Sequence, residues 1–139
     1  VVAQSDDDIT TRNIAALAGL GCPVDLDDFG TGHASISSIR RFDVNRIKID
    51  RSFVTRVDTD RDQQNMVAAI LTMAERLNLD TLAEGVETHG EHAMLAQLGC
   101  GHVQGYSIGR PMPLKQTFDW IEDHQLKLAK AMVLPRRAG

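Results

Sequence analysis

Apolar and polar positions alternate along this chain in two periods, one near 3.6 residues and one of 2. Residues 9–20, ITTRNIAALAGL, place Ile14, Leu17 and Ala18 on one helical face, and Gly21 suits a C-cap. CPVDLDD then reads as a short strand, and after a glycine turn a short helix runs from about Ser35 to Arg41. In NRIKID, Ile47 and Ile49 face one way while Lys48 and Asp50 face the other, the signature of a second strand. The longest helix is predicted from Asp60 to Leu77, where Val67, Ile70, Leu71, Ala74 and Leu77 form a continuous stripe. TLAEGV gives a third strand, HGEHAMLAQL a helix ending at Gly99, HVQGY a fourth strand, and PLKQTFDWIEDHQLKLAK a closing helix. Strands alternating with helices imply an α/β fold of parallel βαβ units with right-handed crossovers.

At 139 residues and 15.3 kDa the chain amounts to one small domain or a piece of a larger one, and 42% hydrophobic residues suffice for a core. A net charge of −4 and a pI near 5.7 argue against duplex DNA or RNA as the main partner. Cys22 and Cys100 have neither zinc-site nor disulfide-framework spacing, so a reduced, cytoplasmic setting is expected. No apolar run approaches the ~18 residues of a membrane span, and VVAQSDDD lacks the regions of a signal peptide. PRRAG reads as a loose tail.

In parallel α/β folds chemistry collects where loops converge at the carboxyl ends of the strands. Here the first strand ends in Asp27 and Asp28, the second presents Lys48 and Asp50, the third ends in Glu84 and the fourth presents Gln104. Taken singly, each has an ordinary structural role: a turn or cap aspartate, or a snorkelling edge lysine. Together at one end they are costly unless they pair or bind something. Carboxylates without convergent histidine or thiolate suit Mg²⁺ or Mn²⁺. Two such ions held by Asp27 and Asp28 form the clamp used for attack of water on a phosphodiester, with Lys48 stabilising the developing charge.

Four motifs, DDFGTG, KIDRSF, AEGVET and QGYSIGRPMP, resemble in order and spacing the second half of the EAL domain, the bacterial phosphodiesterase that hydrolyses cyclic di-GMP to linear pGpG. The likeness is strongest from Gly21 to Pro113. It implies the last four β/α units of a TIM-like (β/α)₈ barrel over residues 1–134, with 135–139 a tail. It also implies that Asp27 and Asp28 are metal ligands for a two-metal Mg²⁺ or Mn²⁺ site. Lys48, Glu84 and Gln104 are then catalytic, and Asp50 and Pro111 bind substrate. Phe29, Gly30, Thr31 and Gly32 belong to a loop that couples dimerisation to metal binding, with His33 where tyrosine is common. The family's Glu-Ala-Leu signature and two further metal ligands, an asparagine and a glutamate, lie on strands this chain does not contain. It is either part of a longer protein or a truncated relative, and the part alone is expected to be inactive. The resemblance leaves two functions open: a cyclic di-GMP phosphodiesterase, or an inactive module that binds the nucleotide or a partner protein. It further implies a homodimer and upstream sensory or GGDEF domains.

The remaining features read as structural. His89 and His92 lie on a solvated helix face; Met66, Met73 and Met94 fill the core; Trp120 is a packing anchor beside Phe118 and Ile121; Asp58, Asp60 and Asp62 cap and charge a helix N-terminus. The strands at Cys22 and His102 are expected to be open sheet edges.

Overall fold

A computed structural model of the chain describes residues 2–30 and 36–133, with side chains described over 9–30 and 36–128. Thr31, Gly32, His33 and Ser35 of the expected regulatory loop, and the tail 135–139, lie outside the described residues. Residues up to Gly109 form one compact unit and Arg110–Gly139 a second.

In the first unit, helix α1 (Val2–Gly19) precedes strand β1 (Asp25–Phe29), helix α2 (Ile36–Phe42) and strand β2 (Arg46–Ile49). Then come the four-residue helix α3 (Arg51–Val54), helix α4 (Arg61–Arg76), strand β3 (Asp80–Ala83), helix α5 (His89–Leu98) and strand β4 (His102–Val103). The strands make one parallel sheet in the order β1-β2-β3-β4, so each crosses over to its immediate neighbour through helix. Ile47, Ile49 and Ala83 of the two central strands are wholly buried, packing with Val67, Ile70, Leu71 and Ala74 of α4 and Leu95 of α5. The period-2 pattern of RIKI thus faces the period-3.6 stripe of α4 across one core, as the sequence pattern requires.

Local signals explain the element ends. Asp60 caps α4 by accepting from the N–H groups of Asp62 and Gln63, Thr88 and Glu91 form a reciprocal capping box on α5, and Gly99 ends α5 at φ 90° in the left-handed region. The strands are shorter than predicted. β3 stops at Ala83 and β4 at Val103, although the Gln104 N–H still donates to Ala83 O and the Val86 N–H to Gln104 O. Helix α3 had no counterpart in the pattern, because four residues are too few to display a helical period.

Two packing expectations need correction. Met66 is 50% exposed, whereas Met73, two turns further along the same helix, and Met94 do pack on the core. In the second unit, which carries helix α6 (Leu114–Val133), Trp120 stacks on His124 with ring centroids 4.8 Å apart, while Phe118 and Ile121 are exposed.

β1 and β4 are the sheet edges, as expected. An edge presents unpaired N–H and C=O groups that template further pairing. The 139-residue chain on its own is therefore expected to self-associate in sedimentation velocity; a sharp monomer peak with cooperative unfolding would contradict this.

Candidate functional site

Adjacent residues of a regular strand point to opposite faces, so a plain strand would separate Asp27 from Asp28. The register shows how the fold avoids this. Leu26 lies opposite Ile47 and Phe29 opposite Ile49, so two residues of β1, Asp27 and Asp28, span the one position of β2 occupied by Lys48. This is a β-bulge. Asp28 takes φ 52°, a left-handed conformation that aspartate tolerates better than most residues, and its N–H donates to Asp27 Oδ1 at 3.0 Å.

Lys48 projects from β2 into the bulge. Its Nζ lies 3.0 Å from Asp27 Oδ1 and 2.7 Å from Glu84 Oε1, the latter just beyond β3. The hydrogen bond from Lys48 holds the Asp27 carboxyl below its usual range against a smaller opposing effect of burial. Glu84 is the main cause raising the Lys48 ammonium above its ordinary value; burial opposes and Asp27 assists. Carboxylate oxygens of Asp27, Asp28 and Glu84 all lie within 4.8 Å of one another, the one such acidic, histidine or cysteine cluster of three or more among the described residues. His89 and His92 are not part of it.

An all-oxygen donor set drawn from two strand ends fits a hard divalent cation such as Mg²⁺ or Mn²⁺ and suits zinc poorly. Held there, such an ion would supply a polarised water and offset charge on a phosphoryl group. Lys48 holds the Asp27 and Glu84 carboxylates toward each other and places a fixed positive charge beside them.

The other predicted residues are placed differently. Asp50 is the N-cap of α3, its Oδ1 accepting from the Ser52 N–H at 2.9 Å; the bonds from Ser52 hold its carboxyl below the usual range. Gln104 lines a recess of about 260 Å³ with Arg51, Gly85, Glu87, Gly105 and Tyr106. Phe29 is buried in the core, and Gly30, at φ 103°, leads out of the strand. Pro111 belongs to the second unit, in the non-helical stretch before α6.

Three contributors escaped the sequence reading. Arg51 pairs with Glu87, Nη2 to Oε1 at 2.8 Å. The ring of Phe53 lies over Gly30. Glu91 is buried and accepts from the N–H groups of Arg56, Glu87 and Thr88 at 2.9–3.1 Å, tying the turn after α3 to the loop after Glu84. Burial works to raise the Glu91 carboxyl, yet these three donors hold it below its ordinary value. The available signal was position: RSF follows the KID motif, and Glu87 and Glu91 follow AEG.

Comparison with known proteins identifies the family. The sequence model of the family described as EAL domain matches residues 1–111. The bifunctional diguanylate cyclase/cyclic di-GMP phosphodiesterase MucR of Pseudomonas aeruginosa is 39% identical over 114 residues, 82% of this chain but 17% of that relative. Among solved structures, the PaMucR phosphodiesterase in complex with c-di-GMP superimposes with a TM-score of 0.71 at 38% identity, covering 81% of this chain and 45% of that one. Klebsiella pneumoniae BlrP1, in a manganese/cy-diGMP complex, gives a TM-score of 0.65 at 33% identity, covering 72% and 26%. The parallel sheet, the carboxylate cluster at its strand ends and the match over residues 1–111 lead to one conclusion: the chain belongs to the EAL domain family and corresponds to the C-terminal portion of that domain.

Proposed function

We propose that the protein carrying this chain is a metal-dependent phosphodiesterase that opens cyclic di-GMP to linear pGpG. The observation that carries this reading is the placement of Lys48 between Asp27 and Glu84, with Asp28 brought to the same cluster by the bulge. An inactive module has no need to keep this pairing intact. Asp27, Asp28 and Glu84 hold Mg²⁺ or Mn²⁺; the c-di-GMP complex of PaMucR and the manganese complex of BlrP1 support the ligand and ion class. Lys48 orients Asp27 and Glu84 and offsets charge on the phosphoryl oxygens. Gln104 orders the site, and Asp50 and Pro111 contact the nucleotide. Residues 1–134 form the EAL portion and 135–139 a tail.

The protein acts as a homodimer in this proposal. Supporting it, Ile36 of α2, Met73 of α4 and Leu77 at the C-cap of α4 line one shallow apolar recess, and Ile36 and Leu77 are 57% and 43% exposed. α4 connects the two central strands, so pairing at either sheet edge leaves that recess uncovered. MucR, of which the chain spans 17%, supports upstream GGDEF or sensory domains. Both cysteines are free and no described helix is long and apolar enough to cross a membrane, which accords with a cytoplasmic setting.

The test is chromatography of cyclic di-GMP incubated with the intact protein. Conversion to pGpG with Mg²⁺ or Mn²⁺, stopped by a chelator, is the expected result; nucleotide binding without conversion would sink the catalytic reading.

A further inference from the structure

Each arm of the carboxylate cluster is followed by a glycine in the left-handed region: Gly30, two residues after Asp28, at φ 103°, and Gly85, directly after Glu84, at φ 68°. Neither faces open space. A Cβ at Gly30 would come within 2.7 Å of Phe53 Cζ, and one at Gly85 within 2.6 Å of Arg51 Cγ. Phe53 and Arg51 are both residues of α3, the four-residue helix that directly follows β2 and Lys48. One short element therefore touches the turn after Asp27 and Asp28 on one side and the turn after Glu84 on the other.

That element is itself firmly held. Asp50 caps its start, Val54 at its end is wholly buried, the Gln63 side chain donates to Ser52 O at 3.0 Å, and Glu91 accepts from the Arg56 N–H just beyond it. The Gly85 turn is gripped at its far end as well, because Glu91 also binds the N–H groups of Glu87 and Thr88, and Arg51 pairs with Glu87. Ligands on separate strand ends keep their spacing only if something rigid spans them, and the groups that orient metal ligands matter nearly as much as the ligands.

We propose that α3 is a clamp that sets the separation of the two arms of the metal site, with Phe53 and Arg51 as positioning residues acting through Gly30 and Gly85. The proposal rests on the metal-binding reading above. At Gly85 the contacting atoms are Cβ, Cγ and Cδ of Arg51, so the stem provides the contact and the guanidinium serves Glu87.

The test is Mn²⁺ binding to the intact protein without substrate, read from the spin-resonance signal of free Mn²⁺, with thermal midpoints on the same samples. Arg51→Ala and Phe53→Ala are each expected to weaken Mn²⁺ binding about 10-fold. Arg51→Ala should leave the midpoint within a few degrees, since its side chain is 60% exposed. Arg51→Met, which keeps the stem and removes the charge, should recover most of the affinity. Should Phe53→Ala fail to fold, Phe53→Leu takes its place with an intermediate loss expected. Folded Arg51 and Phe53 variants that bind Mn²⁺ like the wild type overturn the clamp, even if less stable. Arg51→Met as weak as Arg51→Ala overturns the stem contact and assigns the effect to the Glu87 pair. Asp27→Asn, run alongside, separates the two readings: if it binds Mn²⁺ as the wild type does, the metal assignment fails and the clamp with it.

Discussion

Replacing Asp27 by Asn in the intact protein is expected to abolish hydrolysis of cyclic di-GMP while leaving the fold in place. Asparagine has the same shape but no charge, so it weakens both the hold on a divalent cation and the ion pair to Lys48. Metal-borne stabilisation of a phosphoryl transition state is worth several kcal/mol, so turnover should fall by roughly 10³-fold or more. Stability should barely change, because the Asp27 side chain is 62% exposed and exposed ion pairs contribute little. The decisive measurement is turnover and thermal midpoint on the same preparation. Near-normal turnover would remove Asp27 from the metal site, whereas a large loss of stability with preserved activity per folded molecule would make it a turn residue.

Lys48→Ala should lower kcat by on the order of 10²-fold or more with a much smaller change in KM, since a charge that offsets developing negative charge acts mainly in the transition state. Substrate binding should survive. Glu84→Gln should likewise impair turnover, with excess Mn²⁺ restoring part of it through occupancy. The pH dependence follows from the shifts. Lys48 is raised above 10.5, so the stabilisation from its pairing is fully present below 10.5 and lost as pH rises through the higher folded value. Asp27 is lowered below 3.8, so its share is present above 3.8 and lost as pH falls through the lower folded value. Between roughly pH 5 and 9 both stay charged and neither titrates. A basic limb below pH 9 that disappears in Lys48→Ala would refute this assignment, as would equal falls in kcat and stability.

The site was legible as far as parity and strand ends reach. Lys48 stands opposite the face of Ile47 and Ile49 in the sequence, and in the fold it is only partly buried, between those two fully buried residues. Glu84 precedes Gly85, a plain sign of a strand end, and it does meet Lys48. Asp50 has the same parity as Lys48 yet caps α3, because the strand stops at Ile49 and the chain turns at once into helix. Gln104 lines the recess with Arg51 and Tyr106, just past the end of β4 at Val103.

By itself the sequence determined the alternation of strands and helices, the core stripe of α4 and the charged groups at one end of the sheet, since periodicity and short-range caps are local properties of the chain. The tertiary structure alone decided that the carboxylates of the neighbouring aspartates of β1 come together beside Glu84. Their convergence depends on a bulge, one extra residue measured against β2, and register exists only between two strands. It also decided that Phe53 and Arg51 lie against Gly30 and Gly85. These contacts join residues brought together by the crossovers between strands, and no periodicity along a single chain records them.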